Sequence, residues 1–329
     1  MTTATASIHQ TAVEVIEALP AHRPHGIWRQ ALANRRVLVG GGILIAIALA
    51  CLVTLVWTAG IYHLQNGDLA RQPPRFRPVA GWFGYDTLGR SIFVRCLMGG
   101  VISLAVGIAA AAIAVVLGVG VGLFAGYRGG WVDALLMRSV DVLYGLPYVL
   151  LIILFKIAFE DKLAVLIGKL SRSGSPNPQA ASVIILFLAI GAVSWLTMAR
   201  VIRGQVLSLR GQPFIEACKA AGLPESRIFI RHLLPNLIGP ITVYATLIVP
   251  SAILNESFLS FLGIGINPPV PTWGSLASEG LLPALNPINQ RWWTLVFPCL
   301  MLAITLLSLN FVGDGLRDVF DPKRDAAKI

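Results

Sequence analysis

Residues 212–240, with the sequence QPFIEACKAAGLPESRIFIRHLLPNLIGP, decide the fold because they form a polar, helix-forming stretch between two long apolar segments. Pro213 suits the first position of a helix, where its missing N–H costs nothing, and Gly222 suits the position just after a helix end. Pro224 can open a second helix in the same way. Glu216 lies in the first turn, where the helix dipole favours a negative charge by about 0.3 to 1 kcal/mol. The stretch therefore predicts two short helices joined at a glycine, which the apolar remainder of the chain presents to a partner.

Five residues of this stretch form a pattern: a Glu-Ala pair, a glycine five positions further on, and a Leu-Pro pair about a dozen positions after that. They are Glu216, Ala217, Gly222, Leu234 and Pro235. The pattern resembles the EAA loop of the membrane subunits of ABC-type importers. The resemblance implies a cytoplasmic coupling helix that docks in a groove of the ATPase subunit. Cys218 stands where a second alanine is typical and His232 where isoleucine is typical, and both leave the helix-glycine-helix geometry intact. The alternative is a basic amphipathic loop on the lipid surface.

The composition is that of an integral membrane protein. Of the 329 residues, 56% are hydrophobic and 13% are charged, whereas a soluble globular domain typically carries about 25% charged residues. The net charge of +10 could indicate nucleic-acid binding, but the basic residues are scattered between apolar spans without a basic motif. Anionic headgroups and the positive-inside rule explain them better. We expect membrane lipid, and no nucleic acid, among the partners.

Six apolar segments approach or exceed the roughly 20 residues that a 30 Å hydrocarbon core requires. They cover residues 37–61, 101–125, 142–159, 180–199, 237–254 and 293–312. The first is too long for the apolar part of a signal peptide and follows a long polar segment, so we expect it to remain as a membrane anchor. Six spans place both termini on one side, and the bias of Lys and Arg predicts that this side is cytoplasmic.

The predicted architecture is therefore all-α, with six transmembrane helices, and the resemblance implies the type I permease fold of ABC importers. The expected parts are a cytoplasmic tail (1–36), the first span with an external loop (37–98), a five-helix core (99–315) and a cytoplasmic tail (316–329). The coupling loop, 200–236, lies within the core. The cysteines Cys51, Cys96, Cys218 and Cys299 show no C-x-x-C spacing, so neither a disulfide nor a zinc site is expected.

Three details of the spans lead to structural expectations. The second span has small residues at steps of four, which lets another helix approach closely; they are Ala110, Ala114, Gly118, Gly122 and Gly126. Packing within the chain is the favoured interpretation, and a contact with another subunit is the alternative. Residues 127–141 are expected to form a short polar connection, and Pro147 is expected to kink the third span.

Two segments on the predicted external side resemble the peptide and nickel branch of these permeases. Residues 84–104, GYDTLGRSIFVRCLMGGVISL, are interpreted as a turn leading into an amphipathic helix, and the sequence alone gives them no chemistry. The side chains expected on one side of that helix are Leu88, Ile92, Cys96 and Leu97. Residues 260–280, SFLGIGINPPVPTWGSLASEG, are interrupted by prolines and are expected to pack as a partly buried external cap.

The sequence also lacks a nucleotide-binding motif, and its predicted spans hold few ionisable residues. No stretch has the G-x-x-x-x-G-K-[ST] pattern that cradles nucleotide phosphates, so we expect no enzymatic activity and no cofactor in this chain, with ATP bound by partner subunits. An ion-coupled secondary carrier is the main alternative. Such carriers place ionisable residues near the bilayer midplane, and the predicted spans hold only Lys156, at a span edge, together with the polar Asn310.

The resemblance implies a permease of the dipeptide, oligopeptide and nickel importers, located in the bacterial inner membrane. It implies a heterodimer with a homologous permease, two cytoplasmic ATPases, an external substrate-binding protein and alternating access. No cluster of His, Cys or carboxylates suits a bare transition metal, which favours a peptide over free nickel. A nickel chelate, glutathione and an opine remain open as substrates.

Overall fold

The computed structural model describes residues 32–170 and 175–320, and the regular elements in these ranges are helical. The α-helices are α1 Arg35–Val53, α2 Leu55–Ile61, α3 Ile92–Arg128, α4 Gly130–Tyr144, α5 Tyr148–Leu170, α6 Pro178–Arg210, α7 Pro213–Ala220, α8 Glu225–Ile228, α9 Leu234–Phe261, α10 Trp273–Leu285 and α11 Trp293–Phe320. Five helical segments are long and apolar enough to cross a membrane, and the bent pair of α4 and α5 makes up to six. The all-α membrane architecture is confirmed. Most of both predicted tails lies outside the described residues.

The long helices extend beyond the spans predicted from hydropathy. α3 begins at Ile92 rather than near residue 101, α6 continues to Arg210, and α9 continues to Phe261. With 37 residues, α3 is about 55 Å long, well beyond a 30 Å hydrocarbon core. Hydropathy marks only the part of a helix that lies in hydrocarbon, so the ends of α6 and α9 were missed. The start of α3 was predicted to be an amphipathic helix, but not to be continuous with the second span.

Contacts between helix ends show which segments share an end of the bundle. The side chain of Asn34, just before α1, donates to the Gly315 carbonyl near the end of α11, at 3.2 Å. Tyr127, near the end of α3, packs edge to face against Phe229, with ring centroids 4.6 Å apart. A Cβ atom at Gly239, near the start of α9, would lie 2.9 Å from the ring of Phe320 at the end of α11. The start of α1, the end of α11 and the segment that follows α6 therefore lie at one end, which we call the coupling end.

The opposite end gathers the other connections. Trp293, the first residue of α11, donates its indole N–H to the Tyr85 carbonyl just before α3, at 3.3 Å. The backbone N–H of Asn267 donates to the Ser182 hydroxyl near the start of α6, at 3.0 Å. Successive crossings thus alternate in direction, as a six-span arrangement requires.

α3 and α6 pack closely because α3 carries the small-residue stripe. A Cβ atom at Gly118 would lie 2.5 Å from the Cβ of Met198, and one at Gly122 would lie 2.5 Å from the Ala199 carbonyl oxygen. Real side chains do not approach so closely, so glycine allows the two backbones to meet. Packing of the stripe within the chain is confirmed.

Two expectations for the region that follows α3 are wrong. Residues 127–141 are not a short polar connection, because most of them belong to α4. Pro147 does not kink a continuous span: α4 ends before it and α5 begins after it, with 91° between their axes. Proline lacks an N–H and disfavours helical geometry in the preceding residue, which explains a complete break at this point.

The predicted cap is present as α10 and the loop before it. Trp273 is fully buried, and its indole N–H donates to the Cys96 carbonyl at 3.0 Å. A Cβ atom at Gly274 would lie 2.4 Å from the Cα of Ser257, so α10 lies directly on α9. Ile92, Cys96 and Leu97 are buried as expected. Leu88 is not on their helix: it lies in the preceding turn and is 45% exposed.

Candidate coupling site

We call residues 212–235 the coupling segment. Its first part, residues 212–222, folds as the sequence predicts. α7 has proline in its first turn, and Gly222 follows its end with φ of 71°. The N–H of Gly222 bonds to the Lys219 carbonyl at 3.0 Å, and the N–H of Leu223 bonds to the Cys218 carbonyl at 3.1 Å. This pair of bonds is the Schellman motif, which requires a left-handed residue at the position of Gly222. A Cβ atom there would meet nothing within 4 Å, so backbone conformation, not space, requires the glycine.

The second predicted helix is not a separate element. α8 runs through a π-helical turn, Phe229–Leu233, directly into α9, and the helical segment Glu225–Phe261 contains 37 residues. Pro235 has no N–H to donate to the Arg231 carbonyl, and the helix widens into the π turn just before it. The coupling segment is therefore a direct extension of a membrane helix.

The coupling segment has a buried face and an exposed face. Its inward side chains join one apolar cluster with Val206 of α6 and Leu237 of α9; they are Ile215, Ile228 and Leu233. The five predicted coupling residues lie on or near the other face. Glu216, Ala217, Gly222 and Pro235 are exposed, and Leu234 is half-buried. The structure thus anchors the segment through apolar residues and leaves the pattern residues accessible.

This arrangement argues against a loop that lies on lipid. Such a loop directs its apolar face away from the protein, whereas most large apolar side chains here are buried or half-buried against the chain's own core. The exceptions are Phe214 and Ile230, which are 39% and 70% exposed. Two isolated apolar side chains on a polar surface suit a groove in a partner better than a membrane surface.

Aromatic and ionic contacts attach the segment to the end of α3. Beyond the contact of Tyr127 with Phe229, the Lys219 ammonium lies 5.3 Å from the centroid of the Tyr127 ring. Arg128 and Glu225 form an ion pair at 3.4 Å, with both side chains about half exposed. An exposed pair of this kind contributes about 0 to 1 kcal/mol. Apolar and aromatic packing therefore holds the segment.

Two arginine–aspartate pairs fasten α4 to α6 at the same end. The Arg203 guanidinium donates two hydrogen bonds to Asp133, at 2.5 and 2.6 Å. Arg200 donates to Asp141 at 2.8 Å and lies over the Tyr144 ring, 4.0 Å from its centroid. Bidentate arginine–carboxylate pairs fix geometry as well as adding energy. Two polar residues of the predicted connection, Asp133 and Asp141, are therefore the points at which α4 is attached to α6.

The structure also places buried charged residues in the parts of the long helices that extend beyond the predicted spans. Because α9 continues to Phe261, Glu256 lies within it and is fully buried. Its carboxyl group accepts hydrogen bonds from Ser260 at 2.7 Å and from Ser103 of α3 at 3.1 Å. Arg95, in the first turns of α3, is 2% exposed. The predicted spans themselves still hold only Lys156, and Arg95 and Glu256 lie in the parts of α3 and α9 that extend beyond them.

Arg95 belongs to a cluster of four charges between the turn before α3 and the cap helix α10. It donates to Glu279 at 2.7 and 2.9 Å and to Asp86 at 3.1 Å. Arg90 donates to Asp86 at 2.6 Å and to Glu279 at 2.8 Å. Burial opposes ionisation of Glu279, but the hydrogen bonds and charges of Arg95 and Arg90 outweigh it and hold its pKa below the ordinary value. The turn at residues 84–90 thus has a structural role that depends on Glu279, which is distant in the sequence.

Residues that could hold a metal ion are not grouped in the described part of the chain: no three His, Cys, Asp or Glu side chains come together there.

The exposed residues of the coupling segment form a surface of mixed charge. Glu216, Lys219, Arg227 and Arg231 are all exposed. Such a surface is suited to recognition by another protein.

Comparison with known proteins places this arrangement in a family. The family described as binding-protein-dependent transport system inner membrane component matches residues 118–326. The chain is 40% identical to the oligopeptide transport system permease protein OppC of Escherichia coli (strain K12) over 295 residues, which are 90% of this chain and 89% of that one. It is 38% identical to the dipeptide transport system permease protein DppC of Bacillus subtilis (strain 168), over 90% of this chain and 84% of that one.

The fold has a counterpart among solved structures. A chain of the methionine ABC transporter MetNI in an inward-facing conformation superposes with a TM-score of 0.50 at 18% identity, and the match covers 67% of this chain and 94% of that chain. This likeness concerns the fold alone, and it agrees with the helical bundle and the family match. The chain belongs to the binding-protein-dependent transport system inner membrane components, the permease subunits of ABC importers.

Proposed function

We propose that this chain is the permease subunit of an ATP-driven importer of peptides, and that it transmits ATPase movement through residues 212–235. The observation that carries the proposal is the geometry of this segment. Its apolar side chains are buried in the chain's own core, while Glu216, Ala217, Gly222 and Pro235 face outward at one end of a membrane bundle. The choice of peptide rests on relatives at 38% to 40% identity that are named as dipeptide and oligopeptide permeases.

In this proposal the coupling end is cytoplasmic, and the chain lies in a bacterial inner membrane. Two ATPase subunits bind and hydrolyse the nucleotide, since this chain has no phosphate-binding loop, and one of them docks on α7. A homologous permease completes the pathway. An external binding protein delivers the substrate at the opposite end.

The contacts around α7 suggest how movement is transmitted. Displacement of the segment acts on α9 along a continuous helix, and on α3 and α6 through the apolar cluster that holds Ile215 and Leu233. Side chains of α6, such as Met198 and Val206, occupy the space that Gly118 and Gly126 of α3 leave free. Sliding of one helix along the other would move these side chains against larger residues. We therefore expect the helices to move together, so that the pathway opens between the two permeases by rigid-body rotation.

Uptake by cells that lack this gene tests the proposal. The deletion strain should resist toxic peptide analogues, because they no longer enter, while a nickel-dependent enzyme keeps its activity. The wild-type gene on a plasmid should restore sensitivity. Loss of nickel-dependent activity with unchanged peptide entry would assign the chain to metal import instead.

A further inference from the structure

We propose that residues 71–82 form a docking surface for an acidic, water-soluble protein at the external end. This inference rests on the proposed function, which makes the end opposite the coupling segment external and provides a soluble binding protein as the partner. The surface consists of Arg71, Arg75, Phe76, Arg77 and Trp82, and we call it the arginine–aromatic surface.

The first observation is that its positive charges are exposed and not neutralised. Residues 62–82 contain three arginines and one acidic residue, Asp68. The side chains of Arg71, Arg75 and Arg77 are exposed, and within the described residues none of them forms an ion pair. The Arg75 guanidinium donates only to the neutral side chain of Gln72.

Other arginines at the same end, in contrast, form ion pairs within the chain. Arg90 and Arg95 are both paired with Asp86 and Glu279 in the four-charge cluster, where the charges balance. The positive-inside rule also disfavours arginines in short external loops. Three unneutralised arginines at this position therefore suggest a partner that supplies carboxylates.

The second observation is an aromatic residue that the chain does not cover. Phe76 is 95% exposed, and Trp82 beside it is 47% exposed. With Pro74 and Arg75 they line a cleft of about 250 Å³. Arginine and tryptophan are enriched among the residues that dominate binding energy, and phenylalanine is enriched in interfaces generally. Contact with water alone does not explain why Phe76, a large apolar side chain, is exposed between Arg75 and Arg77.

The third observation is that hydrogen bonds within the chain hold the loop that carries the surface. The N–H of Arg75 bonds to the Gly81 carbonyl at 2.8 Å, and the Trp82 indole donates to the Phe76 carbonyl at 3.1 Å. The N–H of Arg71, a residue with φ of 67°, bonds to the Asp86 carbonyl at 2.9 Å. A preorganised loop loses less conformational freedom on binding, which favours affinity.

These features favour a protein over lipid as the occupant. The basic segments that typically bind anionic lipid headgroups lie on the cytoplasmic side of a membrane, whereas this surface is at the opposite end. A protein that offers carboxylates around an apolar recess would satisfy both the guanidinium groups and Phe76.

The test measures binding between the complete transporter in nanodiscs and the purified substrate-binding protein encoded with this chain. Arg75→Glu combined with Arg77→Glu should weaken binding by about tenfold or more and reduce its dependence on salt. Phe76→Ala should weaken binding by about fivefold or more without changing the salt dependence. Lys162→Glu is the matched control: Lys162 is exposed on α5 near Glu160, which contacts Asn267 at the same end. We expect its affinity to equal that of the wild type.

Nanodiscs of zwitterionic lipid alone, and of zwitterionic lipid mixed with phosphatidylglycerol, separate the two possible occupants. Equal effects of the arginine substitutions in both support a protein contact, and effects confined to the anionic nanodiscs would overturn it. Unchanged affinity of the arginine variants, in a transporter that still imports peptide, would refute the docking surface and leave the proposed function intact. A wild-type transporter that neither binds this protein nor imports peptide would refute the proposed function itself.

Discussion

Substitution of Gly222 tests whether the ATPase recognises the backbone shape of the coupling segment. The residue has φ of 71°, and a Cβ atom would meet nothing within 4 Å, so the cost of a side chain is conformational and not steric. A left-handed conformation costs an L-residue about 1 to 2 kcal/mol, less for asparagine, and most for a β-branched residue. A penalty of about 1 to 2 kcal/mol lowers the population of the native turn by about 5- to 30-fold.

The assay is the affinity of the purified ATPase subunits for the permease pair in nanodiscs. We expect the order glycine, asparagine, alanine, valine, with Gly222→Val weakened by about 5- to 30-fold or more. Gly211 provides the control, because it is also in open space but has φ of −83°. Gly211→Val should therefore bind the ATPase like the wild type. Equal affinities of Gly222→Val and Gly211→Val would refute the reasoning.

Three further predictions concern charge, topology and pH. Glu216→Lys should reduce transport more than Glu216→Gln, because it reverses a charge in the first turn of α7, which is worth about 0.3 to 1 kcal/mol; equal transport by the two variants would contradict this role. Single cysteines at Ser208 and Gln65, in a background without native cysteines, should react with an impermeant thiol reagent from opposite sides of the membrane, and labelling of both from one side would contradict the topology. Glu279→Gln should lower the unfolding temperature in detergent at neutral pH, because buried Arg95 loses a charged partner. Since the folded state holds the Glu279 pKa below its ordinary value, the wild-type advantage should be complete above that ordinary value and vanish as the pH falls through the lowered one; an advantage that is constant with pH would show that this carboxylate is not responsible.

Local backbone chemistry was the most predictable part of this chain. A proline at a helix start and a glycine after a helix end act on their immediate neighbours, so the sequence sufficed to place α7 and the left-handed turn at Gly222. The long apolar runs likewise predicted the crossings. The coupling role of the exposed residues follows from resemblance, and it remains a prediction.

Partners far apart in the chain could not be predicted. Residues 127–141 were predicted to be a polar connection, yet Asp133 and Asp141 of this stretch lie in a helix and are paired with arginines of α6. Glu256 lies two residues beyond the predicted end of the fifth span, yet hydroxyl groups from α3 and α9 accommodate it within a continuous helix. Hydropathy treats each charged residue as if it stood alone, so it ends helices where a distant partner allows them to continue.

The central claim is that ATP hydrolysis by partner subunits drives peptides through this permease. Its most direct test is uptake of a radiolabelled tripeptide by proteoliposomes that hold the complete transporter, with the binding protein on one side and ATP supplied to the ATPase side. We predict accumulation that requires both ATP and the binding protein, that persists when ionophores remove all ion gradients, and that is lost with Gly222→Val. Accumulation that proceeds without ATP and is abolished by the ionophores would contradict the claim and identify an ion-coupled carrier.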